Sequence, residues 1–316
     1  MRLAVIFAAT AAAGLATAAS AAAEPSLEIR HAAVRVVVMP EARADVMVEV
    51  LKANPRLPLY IDRVGDQVIV DGHLPGFLTG CHGSGQNLRA QIFGRGDFKA
   101  EEFPQIVVHT PMDVRVHSGG VSVGSIGRAH SVELREGGCG SWTVANVEDL
   151  LSARLSGSGE IEAGTSRRAE LGLSGVGRLR AAAIADTLEG RVSGSGLIDV
   201  TSAQSAELVV SGSGNVRAGT IPGGLTAEIS GSGDVSVARV DGPLRARLSG
   251  VGHIRVPAGQ VTVLQAHISG SGDVDFGGVA QTLEADVSGS GDIHVGKVTG
   301  QVDKRVSGSG QVTVGP

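Results

Sequence analysis

Carboxylates and imidazoles recur at fixed positions of a repeated unit in the C-terminal half of the chain. They directly follow a Ser-Gly-Ser/Val-Gly string at intervals of 19 or 20 residues, and a second set comes two positions later. If each repeat forms one coil of stacked parallel strands, matching positions of adjacent coils lie about 4.8 Å apart. The predicted outward patch consists of Asp234, His253, Asp273, Asp275, Asp292 and His294.

Such a column permits two kinds of chemistry. Adjacent carboxylates serve glycosidases as an acid and base pair, and carboxylate oxygens are the ligands of hard cations such as Ca²⁺. Outward strand positions are polar by default, however, and a repeat of nearly constant length leaves no room for a loop that would exclude water from a cleft. We therefore expect a solvated face first, with a ligand or cation patch as the alternative. We assign no catalytic residue, dedicated metal ligand or cofactor.

The string that precedes these residues recurs along most of the chain. Its copies are separated by 18 to 20 residues, and two degenerate copies precede them at a spacing of 19, at 137–140 and 118–121. The nine full copies begin at Ser156, Ser174, Ser193, Ser211, Ser230, Ser249, Ser269, Ser288 and Ser307. A steady period of this length is the signature of a stacked repeat architecture.

Within each repeat the apolar residues fall at alternate positions on both sides of the string. One repeat places them at Leu283, Ala285 and Val287, then at Ile293 and Val295. A period of two is typical of strands, and a short unit of this kind cannot bury its apolar face unless it stacks on copies of itself. The sequence therefore predicts an all-β fold, a single-stranded parallel β-helix of about 11 coils of about 19 residues each.

The string itself is expected to form the corner between two short strands of a coil. Only glycine enters positive φ without a Cβ penalty, so we expect the glycines to adopt that conformation. The third position of the string accepts Ser, Val and, in a degenerate copy, Cys139. This tolerance predicts a small, partly buried ladder at the corners.

The composition limits the kind of protein this chain can be. It has 47 glycines but only six Phe, one Tyr and one Trp, with 42% hydrophobic residues and a net charge of −5. The small apolar residues predict a thin, close-packed core. Binding to nucleic acid requires clustered Lys and Arg, so we exclude nucleic acid as a partner.

Residues 1–23 have the features of a secretory signal peptide. A positive residue at Arg2 precedes an alanine-rich apolar run, and small residues end it before Glu24. A membrane anchor is the alternative, although the run is short and no basic segment follows it. We expect export to the periplasm, the cell surface or the extracellular space.

The two cysteines fit an exported protein. Cys81 and Cys139 are the only cysteines of the chain, and an oxidising compartment makes a disulfide between them the expected state. Two small buried thiols are the alternative.

Residues 24–105 lack the repeat but keep strand patterns, as in Val34–Val38, Val46–Val50 and Val68–Val70. We expect these residues to form a strand-rich cap or wider opening coils, because an open end of a β-helix would expose unpaired strand edges. A separate strand-rich lobe is the alternative. Residues 106–316 are assigned to the repetitive β-helix.

The repeat resembles the head GIN domain family of auto-transporter adhesins. The motif that carries the resemblance is an apolar residue, Ser-Gly-Ser-Gly, any residue and Val or Ile, as at 229–235 and 287–293, and the segment 106–111 looks like the strand that leads into such repeats. The resemblance extends from Leu27 to the C-terminus. It implies an exported right-handed β-helix of the cell envelope with an adhesive role, and it provides no catalytic residues.

These observations favour a non-catalytic envelope protein that binds through its exposed strand faces. A glycan, a wall polymer or an envelope protein is the expected partner. One alternative is a polysaccharide lyase or hydrolase that uses the Asp and His column on adjacent coils. The other is a structural element that self-associates end to end through an uncapped C-terminal coil.

Overall fold

The computed structural model describes residues 24–74 and 78–315. The predicted signal peptide at 1–23 lies outside the described residues. Apart from two short 3-10 helices at Gly85–Asn87 and Ala100–Glu102, all described regular structure is strand. Within these two ranges, no helix is long and apolar enough to cross a membrane.

The strands are numbered in chain order. They are β1 (Ser26–Pro40), β2 (Met47–Lys52), β3 (Tyr60–Val64), β4 (Gln67–Asp71), β5 (Leu78–His82), β6 (Arg89–Ile92), β7 (Gly96–Lys99), β8 (Gln105–Thr110), β9 (Asp113–Ile126), β10 (Ser131–Glu136), β11 (Cys139–Val144), β12 (Leu150–Leu155), β13 (Glu160–Ala163), β14 (Arg168–Leu173), β15 (Arg178–Val192), β16 (Leu197–Val210), β17 (Asn215–Ile221), β18 (Leu225–Ile229), β19 (Val235–Val240), β20 (Leu244–Leu248), β21 (His253–Val256), β22 (Gln260–Ile268), β23 (Asp273–Val287), β24 (Ile293–Val298), β25 (Val302–Val306) and β26 (Val312–Val314).

Strands β9 to β26 form a parallel β-solenoid of about 11 turns. Each strand pairs with the strand one repeat later, as β12 does with β14 and β13 with β15. The pairing keeps matching repeat positions in register, so that Leu225 aligns with Leu244 and then with Leu264. This architecture confirms the predicted all-β parallel helix and its number of coils.

The core is one continuous column of inward side chains. The alternating apolar positions of each repeat are buried, as Leu225, Ala227 and Ile229 show with no more than 2% of each residue exposed. Trp142 is the largest side chain in this column and is also buried, and Gly124 in the adjacent coil leaves the space that its ring fills. The small side chains explain why the core stays thin.

The glycines of the string are required for a different reason from the expected one. None of the glycines in the nine full copies has a positive φ, and Gly120 in the first degenerate copy is the exception, with φ at 107°. Instead, a Cβ on Gly231 would overlap the carbonyl oxygen of Gly212 in the preceding coil, and a Cβ on Gly233 would overlap that of Gly214. The expectation of positive φ was wrong, because the corners bring the backbones of adjacent coils into direct contact. Two parallel columns of glycine result.

In the nine full copies the third position of the string is exposed, not partly buried as expected, whereas Cys139 of the degenerate copy is buried. Val176 and Val251 are 69% and 57% exposed, and the serines at this position also face solvent. The backbone amide of this position donates to the first glycine of the preceding coil, for example from Ser232 to the Gly212 oxygen at 3.0 Å. Its side chain therefore points away from the stack, which is why Ser and Val are exchangeable there.

The N-terminal strands cover the first coil of the solenoid. β1 pairs in parallel with β9, and its opposite edge pairs with β4 and β8. Two strands then add in the opposite direction, β2 on β8 and β3 on β4. The predicted boundary between residues 105 and 106 falls inside β8, which belongs to this outer layer.

A small antiparallel sheet of β5, β6 and β7 packs on the side of the first coils. It forms a second hydrophobic cluster in which Phe98 and Phe103 are buried together with Val121 and Cys139 of the solenoid. A disulfide joins Cys81 to Cys139 across this contact, with 6.4 Å between the two Cα atoms. The predicted disulfide is confirmed, and it fixes the small sheet to the solenoid.

The last described coil, β25 and β26, has no further coil on its outer side within the residues described. Val302 and Val306, which occupy inward positions, are 41% and 47% exposed there. Lys304 takes the inward position that Ala285 fills one coil earlier, and its Nζ donates to the Val312 carbonyl at 3.0 Å. A charged side chain therefore lies across this end of the core.

Candidate functional site

The structure brings the predicted Asp and His residues together in two neighbouring columns on the outer face. His253 pairs with Asp273 in the next coil, and Asp275 pairs with His294. Their side chains are exposed or partly exposed. The stacking expected from the repeat is therefore present, and the question is what these groups bind.

Three of the carboxylates accept hydrogen bonds from backbone amides of the next coil. The Asp234 Oδ1 accepts from the His253 amide at 3.0 Å, and the Asp273 Oδ1 accepts from the Asp292 amide at 3.0 Å. The Asp292 Oδ1 accepts from the Gln311 amide at 2.8 Å. These carboxylates thus satisfy backbone donors at the corner where one strand begins, and we call them the Asx ladder.

The backbone amide of the residue that follows the string uses another acceptor where the preceding coil has no Asp or Asn at the matching position. The Leu197 amide donates to the Gly177 carbonyl at 3.1 Å, and the Asp273 amide donates to the Gly252 carbonyl at 3.3 Å. His253 occupies the matching position in the coil before Asp273, and its imidazole lacks the side-chain carbonyl or carboxylate oxygen that Asp and Asn provide there. The Asx ladder is therefore a local alternative to the usual backbone contact.

The remaining contacts of the patch also join neighbouring coils. His253 Nδ1 lies 3.3 Å from Asp273 Oδ2, and His294 Nδ1 lies 3.0 Å from Thr313 Oγ1. Arg255 Nε lies 3.6 Å from Asp275 Oδ2. No group of three or more His, Cys, Asp or Glu side chains in the described part of the chain is arranged to hold a metal ion.

A second surface is an open groove on another side of the solenoid, with a volume of about 740 Å³. It crosses seven strands that stack in the order β1, β9, β10, β12, β14, β15 and β16, a length of about 30 Å at the usual spacing. We call it the arginine groove.

One side of the arginine groove is a row of outward residues that are in register. The row runs from Arg135 to Arg154, Gly172 and Arg191. The other side is the row of string serines, which are exposed at Ser156, Ser174, Ser193 and Ser211. Sequence reasoning missed this groove, although the arginines share one repeat position, two residues before the string or its degenerate copy.

Glutamates on the far side of the arginine row hold the guanidinium groups. Arg135 Nη2 lies 2.6 Å from Glu133 Oε1, and Arg191 Nη1 lies 2.7 Å from Glu189 Oε2. Arg154 is 3.5 Å from its nearest carboxylate. About half of each arginine side chain stays exposed, at 51% for Arg135 and Arg154 and 57% for Arg191. Exposed ion pairs of this kind are weak, so the arginines can exchange partners.

Gly172 interrupts the arginine row. It takes the outward position between Arg154 and Arg191, where the added Cβ of a larger residue would make ordinary to tight contact with the Arg154 side chain. The missing side chain leaves a depression between two positive groups. The Arg154 side chain borders this gap, with its Cγ 3.4 Å from where a Cβ of residue 172 would lie.

A buried carboxyl group lies beneath the groove at its third strand, β10. Glu136 is 1% exposed and occupies the inward position that Leu155 fills in the next coil. Its Oε2 accepts hydrogen bonds from Trp142 Nε1 at 2.7 Å and from Ser122 Oγ at 3.0 Å, and its Oε1 accepts from the Gly138 amide at 2.9 Å. Burial raises the pKa of Glu136, and hydrogen bonds from Ser118, Gly138 and Trp142 offset part of the rise.

Comparison with known proteins gives the class to which this solenoid belongs. The family described as "Putative auto-transporter adhesin, head GIN domain" matches residues 113–222 and 222–315, which is most of the solenoid. The chain belongs to this family. The family and the disulfide together indicate an exported binding module.

The other comparisons add little about function. A solved structure from Parabacteroides distasonis, described as a "Putative lipid binding protein", is 17% identical and has a TM-score of 0.34. The match covers 92% of this chain and 91% of that chain. A likeness of this degree says nothing about a shared ligand. No curated protein matches the chain.

Proposed function

We propose that the protein is a non-catalytic binding module of the cell envelope, in the periplasm or at the cell surface, which holds an extended ligand along its coils. The observation that carries this proposal is the arginine groove. It crosses seven stacked strands, is open along its length and is lined by rows of arginine and serine side chains. A groove of this shape suits a chain-like ligand better than a small molecule, which a closed pocket would bury.

The Asp and His column is weaker support for a binding function than the arginine groove is. It is weaker still as support for catalysis. Catalysis on a polysaccharide would need one carboxyl free to donate a proton and another to act as base or nucleophile. The Asx ladder instead engages its carboxylates with backbone amides, and the patch lies on an open face that water reaches. A ligand or cation role for Asp234, His253, Asp273, Asp275, Asp292 and His294 stays a secondary proposal.

Binding to envelope material tests this function directly. The mature protein is mixed with envelope fragments from the producing organism, and the bound fraction is measured by sedimentation over a range of protein concentrations. We expect saturable binding with no release of soluble sugar fragments. Release of fragments would support the enzyme alternative, and an absence of saturable binding would contradict the proposed function.

A further inference from the structure

The arginine groove has the chemistry of a site for an acidic polysaccharide. We infer that it binds a linear glycan whose sugars carry carboxylates, with Arg135, Arg154 and Arg191 as the residues that recognise these groups. This inference rests on the proposed binding function and specifies its ligand. It is carried by the spacing of the arginines, by their free donors and by the closed floor of the groove.

The spacing matches a repeating ligand. Arg135 and Arg154 lie in adjacent coils, and Arg191 lies two coils beyond Arg154 because Gly172 intervenes. The coil step of about 4.8 Å is comparable to the length of one sugar residue in a linear polysaccharide. Acidic sugars bound along the solenoid axis can thus meet successive arginines while the chain continues beyond both ends of the open groove.

The arginines keep donors for such a ligand. Each guanidinium has five N–H groups in a planar fork that fits a carboxylate with two hydrogen bonds. The contacts with Glu133 and Glu189 orient Arg135 and Arg191 from the side away from the groove. The exposed serines on the opposite side offer hydroxyl groups that can both donate to and accept from sugar hydroxyls.

The floor of the groove argues against an acyl chain. Leu155, Leu173 and Val192 line it, but each is no more than 2% exposed, because their side chains point into the solenoid core. The core is packed along this stretch, so the groove offers an acyl chain no cavity to enter. A lipid would keep much of its apolar surface in contact with solvent, which removes the main source of its binding free energy.

Charge placement also favours an anionic ligand at this surface. The whole chain carries a net charge of −5, yet four arginines line this one groove. Two carboxyl groups border it as well: Glu28, which is partly exposed, and Glu136, which is buried and whose pKa is raised by that burial. Four arginines therefore stand against two carboxyl groups among the side chains that line the groove, and the glutamates that pair with the arginines lie outside that lining. Charge complementarity at such a surface increases the rate of encounter with polyanions.

The test measures the Kd of the mature protein for a polygalacturonate oligomer and for a neutral dextran of the same length by titration calorimetry. The variant R135Q/R154Q/R191Q removes the arginine row. Its matched control, R180Q/R217Q/R239Q, removes the same charge from exposed arginines that neither line this groove nor belong to the arginine row. We expect the first variant to bind the acidic oligomer at least about tenfold more weakly and the control to stay within about twofold.

A single substitution at Gly172, which interrupts the arginine row, provides a second test. Gly172→Glu places a carboxylate between Arg154 and Arg191, and Gly172→Ala adds only the Cβ. We expect the Glu variant to lose affinity for the acidic oligomer and the Ala variant to retain most of it. The thermal unfolding temperature of both variants, measured alongside, shows that the fold is intact.

Several results would overturn the inference. Equal weakening by the two triple variants would mean nonspecific attraction of charge, and binding to phosphatidylglycerol vesicles in place of the oligomer would assign the groove to a lipid. Failure of the oligomer to bind, while the protein still binds envelope fragments, would reject this ligand class and leave the proposed function standing. Loss of binding to the fragments as well would contradict both.

Discussion

Glu136 places a carboxyl group inside a core that is otherwise built from apolar side chains. Its position in the repeat is the one that Leu155 fills in the next coil, so an apolar residue would fit the pattern. The hydrogen bonds from Trp142, Ser122 and the Gly138 amide satisfy it. Because burial of a charge is costly, it raises the pKa of Glu136, so the neutral acid persists to a higher pH in the folded protein than in the unfolded chain.

This arrangement predicts a pH-dependent stability. A carboxyl group whose pKa is raised in the folded state contributes its full stabilisation below the unfolded pKa, and the contribution is lost as the pH rises through the folded pKa. The folded pKa of Glu136 lies above its ordinary value of 4.5. We therefore expect the unfolding free energy of the wild type to fall, relative to Glu136→Gln, as the pH rises above about 4.5.

Urea unfolding between about pH 4 and pH 8 measures this difference. Trp142 is the only tryptophan and donates to Glu136, so its fluorescence reports the state of this part of the core. Gln keeps the size of the side chain and an oxygen acceptor but does not titrate in this range. Parallel pH profiles for the wild type and the variant would show that Glu136 does not change its charge there.

The Asx ladder gives a second prediction at the level of single residues. Asp273→Ala removes the acceptor of the Asp292 amide and should lower the unfolding free energy by about 1 kcal/mol. Asp273→Asn keeps an oxygen at the same position and should leave stability nearly unchanged. The measurement is urea unfolding of both variants, with and without Ca²⁺. A Ca²⁺-dependent stabilisation of the wild type that both variants lose would instead support a cation site.

The sequence predicts the stack of Asp and His residues correctly because position in the repeat determines position on the solenoid. It does not reveal that Asp273 and Asp292 accept backbone hydrogen bonds, since this depends on how the corner places one amide against the next coil. The arginine groove could have been found, because Arg135, Arg154 and Arg191 share one repeat position. The depth of the groove could not be predicted, because this depth depends on the gap at Gly172 and on the shape of the corner.

At the level of the repeated element, the close contact of backbones at the corners determines what the string can contain. Gly231 rests on Gly212 and Gly250 rests on Gly231, so each coil touches the next through glycine. The serine between two such glycines faces solvent and is free to vary. Two glycines are therefore required at the corner of every full repeat.

A single methyl group at a corner should be strongly destabilising. The Cβ of Gly231→Ala would overlap a backbone carbonyl that cannot move without shifting a whole coil, so we expect a loss of about 1–3 kcal/mol or more. Ser232→Ala, at the exposed neighbouring position, should change stability by less than about 0.5 kcal/mol. Chemical denaturation of the two variants checks this. Equal stability would mean that the coils do not touch through glycine.

At the scale of the whole molecule, the two ends of the described solenoid are protected differently. The N-terminal end is covered by β1, β4 and β8, and then by β2 and β3, which run antiparallel to their partners. The sequence could not predict that β1 lies between β9 and β8, because these contacts join residues far apart in the chain. The last described coil carries Lys304 at an inward position, a device that proteins use to prevent pairing at strand edges.

This device predicts how the protein would self-associate. We expect Lys304→Val to increase end-to-end association, because it restores an apolar inward row next to Val302 and Val306. Lys297→Val removes the same charge from an exposed position one coil earlier and serves as the control. Light scattering over a range of concentrations measures both. A wild type that already forms extended assemblies would show that Lys304 does not block this edge.

We propose that the arginine groove is the surface through which this protein binds the envelope. This role is tested most directly by modifying arginines with phenylglyoxal, with and without envelope fragments, and measuring the modification of each residue by mass spectrometry. We predict that the fragments protect Arg135, Arg154 and Arg191 and leave Arg180, Arg217 and Arg239, which lie outside this row, as reactive as before. Protection of the second group in place of the first, or of neither group when the protein is bound, would contradict the claim.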